Sequence, residues 1–306
     1  MPGTCLQRPG GHGLTLGTGS LYVVSTPIGN LEDITQRALR VLQESALIAA
    51  EDTRRTQHLL FHFGISTRLI SYHDHSPPSR LEKILEQLTC GKDVALVSDA
   101  GTPGISDPGY ALVGAAISRG IPVVPIPGAS ALLAALSASG LPTNAFVFEG
   151  FLPRQRSARR ERLHRLKAET RTVVLFEAPQ RLHATLAELY SVLGDRDVVV
   201  ARELTKLHEE FWRGTLVESL DRWEEGVRGE VVIALAGRPD PLPDGVSCLV
   251  EPGSSDTAPA MLIAQRIAAG MSRKDAARDA ARETGMPYRE AYRLAAELGS
   301  VDVSPH

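Results

Sequence analysis

Between two apolar segments, Val94 to Val97 and Tyr110 to Ser118, stands a loop of twelve residues, Ser98 to Gly109, with three glycines and two prolines. A short apolar run ahead of such a breaker-rich loop reads as a buried strand. The segment behind it reads as a helix, with Asp107 as cap and Pro108 in the first turn. Strand, glycine loop and helix in that order belong to an open α/β sheet, which takes its ligands at the carboxyl ends of the strands. Gly101 and Gly104 let backbone approach a ligand without a side chain between, and Pro103 and Pro108 hold φ and stiffen the loop. One such loop alone is as readily a tight turn. Its neighbours decide the matter.

The pattern recurs along the chain. Leu21 to Val24 runs into Ser25-Thr26-Pro27-Ile28-Gly29-Asn30, and Val123 to Ile126 runs into Pro127-Gly128-Ala129-Ser130-Ala131. Leu47 to Ala50 and Arg68 to Tyr72 read as further strands. The intervening helices carry apolar residues at helical spacing, and Asp33 is the expected cap of the first. Alternation at this spacing predicts a mainly parallel α/β sheet over residues 20–140, with its Pro/Gly loops on one rim. A linker at 140–144 leads to a second α/β domain over 141–238, with a mixed sheet. Residues 239–258 read as a linker, and 259–299 as helical segments resembling a helix-turn-helix, divided by Gly285-Met286-Pro287.

At 306 residues the chain exceeds the usual size of one core. Its formal charge of −3 is near neutral, so contact with nucleic acid has to come from local basic patches. Cys5, Cys90 and Cys248 form no metal or disulfide pattern, which suits a reducing cytosol. No apolar run is long enough to span a bilayer. Residues 1–19 lack the features of a signal peptide and read as a disordered tail.

Several chemistries are excluded. Gly91-Lys92 continues to Asp93, so there is no P-loop, and no Gly-x-Gly-x-x-Gly occurs. Gly128 to Leu132 lacks the final glycine of a nucleophile elbow. His73 and His75 want a third ligand, and no metal is expected. By contrast, five stretches occur together and in order: Ser25 to Asn30, Ala50 to Arg54, Ser98 to Gly109, Pro127 to Ala131 and Ala201 to Lys206. In these the chain resembles the 16S ribosomal RNA cytidine 2′-O-methyltransferase family of the tetrapyrrole-methylase superfamily. The likeness covers roughly residues 20–236, and the last fifty are similar to that family's C-terminal helical domain. It implies two α/β domains with S-adenosylmethionine in the cleft between them, and a cytoplasmic homodimer acting on the small ribosomal subunit. Tetrapyrrole methylases proper carry a Gly-x-Gly-Pro-Gly-Asp loop where this chain has Thr26 to Asn30, which argues against a precorrin or uroporphyrinogen substrate.

The residues expected to hold the cofactor are Pro27, Gly29, Ser98, Asp99, Ala100, Gly101, Thr102, Gly104, Ile105, Ser130 and Ala131. Loop backbone meets its polar edges, and the helix start at Ser130 meets its carboxylate. Asp99 is placed by polar hydrogens of the cofactor, away from sulfur. Transfer to a ribose hydroxyl needs in-line approach and a proton acceptor. Glu203 or Lys206 is the candidate for the proton, with Glu177 nearby. Arg154, Arg156, Arg159, Arg160, Arg181 and Arg202 are the candidate RNA contacts, because the run 154–167 contains a single acid, Glu161. A same-fold methylase acting on a tetrapyrrole or a protein side chain, and a ribosome-binding factor without cofactor, are the alternatives.

Overall fold

The computed structural model describes residues 17–238, 262–263, 266–267 and 271–297. Most of the expected tail and all of the expected linker at 239–258 lie outside the described residues. The chain divides into two compact units near residue 240.

The larger unit opens with β1 (Leu21–Val24), α1 (Gln36–Glu44), β2 (Leu47–Ala50), α2 (Thr53–His62) and β3 (Leu69–Ser71). Then come α3 (Pro78–Thr89), β4 (Val94–Val97), α4 (Tyr110–Ser118), β5 (Val123–Ile126) and α5 (Ala131–Ser139). The strands pair in the order β3-β2-β4-β1-β5, all parallel. β4 is buried along its whole length, as a strand covered by helices on both faces must be. Val94 and Leu96 point into one cluster with Leu85 and Leu112, while Ala95 and Val97 point into the other with Val24 and Ile126.

Two helix starts differ from the expected caps. Thr35, not Asp33, caps α1 by accepting from the Ala38 N–H, because Leu31–Asp33 form a 3₁₀ turn first. Gly109 precedes α4 at φ 136°, without a side-chain cap. Asp107 is thereby released from capping.

A second sheet is built from β6 (Phe146–Phe151), β7 (Thr172–Glu177), β8 (Asp197–Arg202), β9 (Glu210–Thr215) and β10 (Val231–Leu235). Its order is β6-β7-β10-β8-β9, and only β6 and β7 run parallel. On one face lie α6 (Arg156–Leu166), α7 (Leu182–Leu193) and α8 (Leu216–Arg222), closing a core with Val173, Leu175, Ile233 and Leu235. The other face, Val174, Val199, Val232 and Ala234, packs on Ala135 and Leu136 of α5 and on Ile28. One helix of the first sheet is thus part of the core of the second, so the two sheets form one body.

The smaller unit contains α9 (Arg273–Thr284), capped by Ser272, and α10 (Tyr288–Glu297), joined through Gly285 in the left-handed conformation. Ala277, Ala280, Ala291 and Ala295 pack with Ile263. Among the described residues no helix is long and apolar enough to cross a membrane.

Gly29 sits where the loop after β1 meets the loop after β8. A Cβ there would stand 2.9 Å from the Leu204 carbonyl oxygen and 2.5 Å from Cγ of Lys206. The lysine can swing away but the carbonyl cannot. Gly29→Val is therefore expected to cost about 1–3 kcal/mol through overpacking, read from urea unfolding midpoints. An unchanged midpoint would mean that these loops are free to part.

Candidate active site

The loops after β1, β4 and β5 leave the same edge of the first sheet and hold one another by backbone bonds. Thr26 and Gly101 exchange both N–H···O bonds, at 2.9 and 3.1 Å, and the Ser25 and Thr102 hydroxyls meet at 2.8 Å. Gly101 has φ 75°, which a side chain tolerates poorly. From the second sheet, Thr205 Oγ1 accepts from the Asn30 N–H at 3.1 Å. Ser106 reaches β6 at Gly150, where the strand is bulged and a Cβ would stand 2.8 Å from the serine hydroxyl.

Between these loops and the second sheet opens a cavity of about 320 Å³. Ile28, Leu132, Phe176 and Val232 make apolar walls, and Thr102, Asp107, Ser130 and Glu230 supply polar edges. Of the residues expected at a cofactor, Ala100, Gly101, Thr102, Ile105, Ser130 and Ala131 line it. Ser130 caps α5 by accepting from the Leu133 N–H, so this helix starts at the cavity wall.

Other candidates point elsewhere. Pro27, Ser98 and Asp99 line a second, smaller cavity beside Arg55 and His58. Asp99 is turned there because its carboxylate accepts from the Asp52 N–H at 3.0 Å and faces Arg55 at 3.4 Å. Gly29 packs on the 204–206 loop, and Gly104 lines neither cavity. The candidate contact of Asp99 with a ligand in the larger cavity is corrected accordingly.

The catalytic candidates are paired. Lys206 Nζ donates to Glu203 Oε1 at 2.9 Å and to Glu230 Oε2 at 3.2 Å. Glu203 is held below the usual carboxylate range by the Lys206 hydrogen bond first and the Glu230 N–H second. Burial would lower Lys206, but its bonds to Glu203 and Glu230 together raise it. Glu203 thus stays ionised and Lys206 protonated near neutrality, so neither is suited to accept a proton. Glu203 and Thr205 adopt φ of 51° and 66°, a strain of about 1–3 kcal/mol each, secured by the Glu230 and Thr205 amides.

Glu177 has a fully buried side chain at the cavity floor. It binds Arg181 at 2.6 Å, accepts from Thr185 at 2.6 Å and lies 3.7 Å from Arg159. That makes it a positioning group for arginines, not a free base. Arg159, read from the sequence as an outward RNA contact, is instead buried against Thr185, Glu188 and Glu177. Arg202 pairs with Glu210, at 2.7 Å. Arg154, Arg156 and Arg160 are exposed.

The residue that sequence reasoning missed is Asp107. It lines the larger cavity with no cation paired to it. Burial pushes its carboxyl up to about 6, the charges of Glu51 and Asp99 add to the rise, and a hydrogen bond from Ser98 opposes it. Glu51 is raised as well, mainly by burial. The available signal was a second acid in the glycine loop, which capping appeared to account for.

Comparison with known proteins gives the class. Residues 20–219 match the family of tetrapyrrole (corrin/porphyrin) methylases. The backbone is similar to uroporphyrin-III C-methyltransferase of Thermus thermophilus in complex with S-adenosyl homocysteine. In that comparison the TM-score is 0.52 and identity 19%, over 71% of this chain and 97% of that one. Diphthine synthase is similar too, with TM-score 0.54 and 19% identity over 71% and 90%. The chain therefore belongs to the tetrapyrrole methylases and, among them, to the group whose members are called ribosomal RNA small subunit methyltransferase I. The Synechocystis member is 49% identical over 92% of this chain and 98% of its own length. The Bacillus subtilis member is 44% identical over 90% and 93%. That of Thermotoga maritima is 50% identical over 221 residues, 72% of this chain and 99% of its own length.

An arginine at Gly101 would meet both the positive φ and the cavity. Gly101→Arg is expected to reduce S-adenosylmethionine binding below detection in a calorimetric titration, with the fold retained by circular dichroism. Undiminished binding would remove this loop from the site.

Proposed function

We propose that the protein transfers a methyl group from S-adenosylmethionine to the 2′-hydroxyl of a cytidine in the 16S RNA of the small ribosomal subunit. The observation that carries this reading is the 49% identity, over nearly the full length of both chains, to a ribosomal RNA small subunit methyltransferase. The cytidine and the ribose oxygen rest on the resemblance in the five stretches named above. A cytoplasmic homodimer rests on it as well. So does the division into domains at 20–140, 141–238 and 259–299, the last for recognition of the RNA.

The larger cavity fits the cofactor. Its size suits a ligand of that class. Apolar walls suit an adenine, the start of α5 suits a carboxylate, and Asp107 and Glu230 suit an ammonium group. Ala100, Gly101, Thr102, Ile105, Ser130 and Ala131 would hold it. When bound, it supplies an electrophilic methyl group on a cationic sulfur. The chain's own task is to present the ribose hydroxyl and to take its proton.

For that proton we propose the Asp107 carboxylate. A base is most effective with a pKa near working pH, and a buried carboxyl at about 6 meets this condition. Glu203 is too acidic, and Lys206 already holds its proton. Lys206, kept cationic by Glu203 and Glu230, polarises the hydroxyl or binds a phosphate beside it.

Two measurements test this. RNA treated with enzyme and cofactor is expected to resist alkaline cleavage at one position and to release 2′-O-methylcytidine on digestion. A base-methylated nucleoside with an unbroken alkaline ladder would overturn the assignment. Because Asp107 must be ionised to act, kcat/KM is expected to fall about tenfold per pH unit below about 6. Asp107→Asn is expected to lower kcat by 10²–10⁴-fold, on the order of a general base's contribution, and to remove that acid limb. An unaltered acid limb in this variant would exclude Asp107.

A further inference from the structure

Next to the larger cavity lies another, of about 550 Å³, between the start of α6 and the turn that leads into α7. Arg154, Arg156, Arg159 and Arg181 line it, with Glu188 the one acid among its lining residues. Ala178 belongs to the walls of both cavities. We infer that this second cavity is a phosphate subsite, in which Arg154, Arg156 and Arg181 grip the RNA backbone beside the nucleotide presented to the first. The RNA part of this inference rests on the function proposed above.

The charges are arranged for an anion. Arg159 is already committed to Glu188 and Thr185. Arg181 gives one Nη to Glu177 and keeps a buried Nε with no partner. Arg154 and Arg156 are exposed and form no ion pair among the described residues. Four guanidinium groups thus face two carboxylates, Glu188 at the wall and Glu177 beneath, and two positive charges remain in excess. α6 and α7 both begin here, with neither a capping side chain nor an acid in the first turn. Their leading N–H groups carry the positive end of the helix dipole, and the planar fork of arginine matches phosphate oxygens two at a time.

Glu177 has a further part in this. A carboxylate this buried stays ionised only when paired, and its partners are Arg159 and Arg181. It therefore fixes the Arg181 guanidinium on the shared wall. A ribose is covalently joined to its flanking phosphates, so a hydroxyl held in the first cavity brings a phosphate to the neighbouring one. Three parts of the chain remote in sequence, the end of β7, the start of α6 and the start of α7, thus serve one strand of RNA.

The test uses the full chain and the double variant Arg154→Ala/Arg156→Ala, whose side chains are not needed for packing. Arg181→Lys replaces Arg181→Ala, which would leave Glu177 underpaired and endanger folding. In the first arm, inorganic phosphate is titrated against isotope-labelled protein. Saturable shifts of the Arg156 and Arg181 side-chain resonances are expected, and their weakening in both variants. In the second arm, affinity for a small-subunit RNA fragment is measured against salt. The log–log slope is expected to fall by about 1.4 in the double variant, at about 0.7 per lost contact on single-stranded RNA. A methylphosphonate at the phosphate next to the target is expected to weaken the wild type and leave the double variant unaffected. Cofactor affinity is expected to stay within about twofold. Absence of phosphate-induced shifts overturns the subsite. Phosphate shifts in a wild-type protein that neither binds nor methylates the RNA would support the anion site and sink the proposed function. Phosphate shifts with normal methylation, but with slope and methylphosphonate response unchanged in the variant, would overturn the assignment of this cavity to the RNA.

Discussion

The site depends on a backbone pairing two bonds long. Where parallel strands end, their loops carry N–H and C=O groups that must find partners or water. Thr26 and Gly101 satisfy each other in full, so the loops after β1 and β4 become one rigid rim. The geometry requires a residue that accepts φ 75° at position 101, and this is the physical reason for glycine there. It also changes what the glycine does. Its own amide and carbonyl are consumed by Thr26, so a ligand in the cavity meets the groups on either side of it, at Ala100 and Thr102, and meets Gly101 as an absence of bulk.

Around this rim the charges sort into partnered and unpartnered sets, and the difference carries functional meaning. Glu177, Arg159 and Arg181 saturate one another in the interior. Glu203, Lys206 and Glu230 do so at the loop after β8, and Arg202, Glu210 and Arg222 at the sheet edge. Paired ions hold geometry but offer a poor proton acceptor or phosphate contact, since a new partner must displace an old one. Asp107 in one cavity and Arg154 and Arg156 in the next lack such partners. A proton and a phosphate are the two species that methylation of an RNA hydroxyl asks a protein to manage.

Much of the fold was legible in the sequence for a simple reason. Short runs such as Val94 to Val97 are apolar throughout, so they mark strands buried on both faces whatever surrounds them. The Pro/Gly loops after them fix where the strands stop, and the parallel first sheet and mixed second sheet both follow. Side-chain direction was less legible. Asp99 and Asp107 stand in the same loop, yet one turns to the Asp52 amide and the other into the cavity. Arg159 carried a signal that the run of basic residues concealed. It lies four and seven positions before Leu163 and Leu166, on the stripe that α6 buries. Glu177 carried one as well, because Val173, Leu175 and Glu177 alternate onto the same covered face of β7. Patterns of burial were present in both places, but charge was read first and burial second.

The smaller unit stands apart from this chemistry. Every group in the three cavities discussed belongs to the larger unit. The Thermotoga maritima relative is matched over 99% of its length by 221 residues of this chain, which leaves no room in it for a second unit of this size. In such a relative the α/β body has to hold cofactor and position substrate unaided. The smaller unit has a core of alanines with Ile263, and its surface mixes Arg278 with Asp275 and Arg266 with Asp279 and Glu283. Paired charges of this kind contribute little to nonspecific attraction for RNA. The long-range pull on the RNA backbone therefore falls to the unpaired arginines of the α/β body, beside the cavity where the methyl group is transferred.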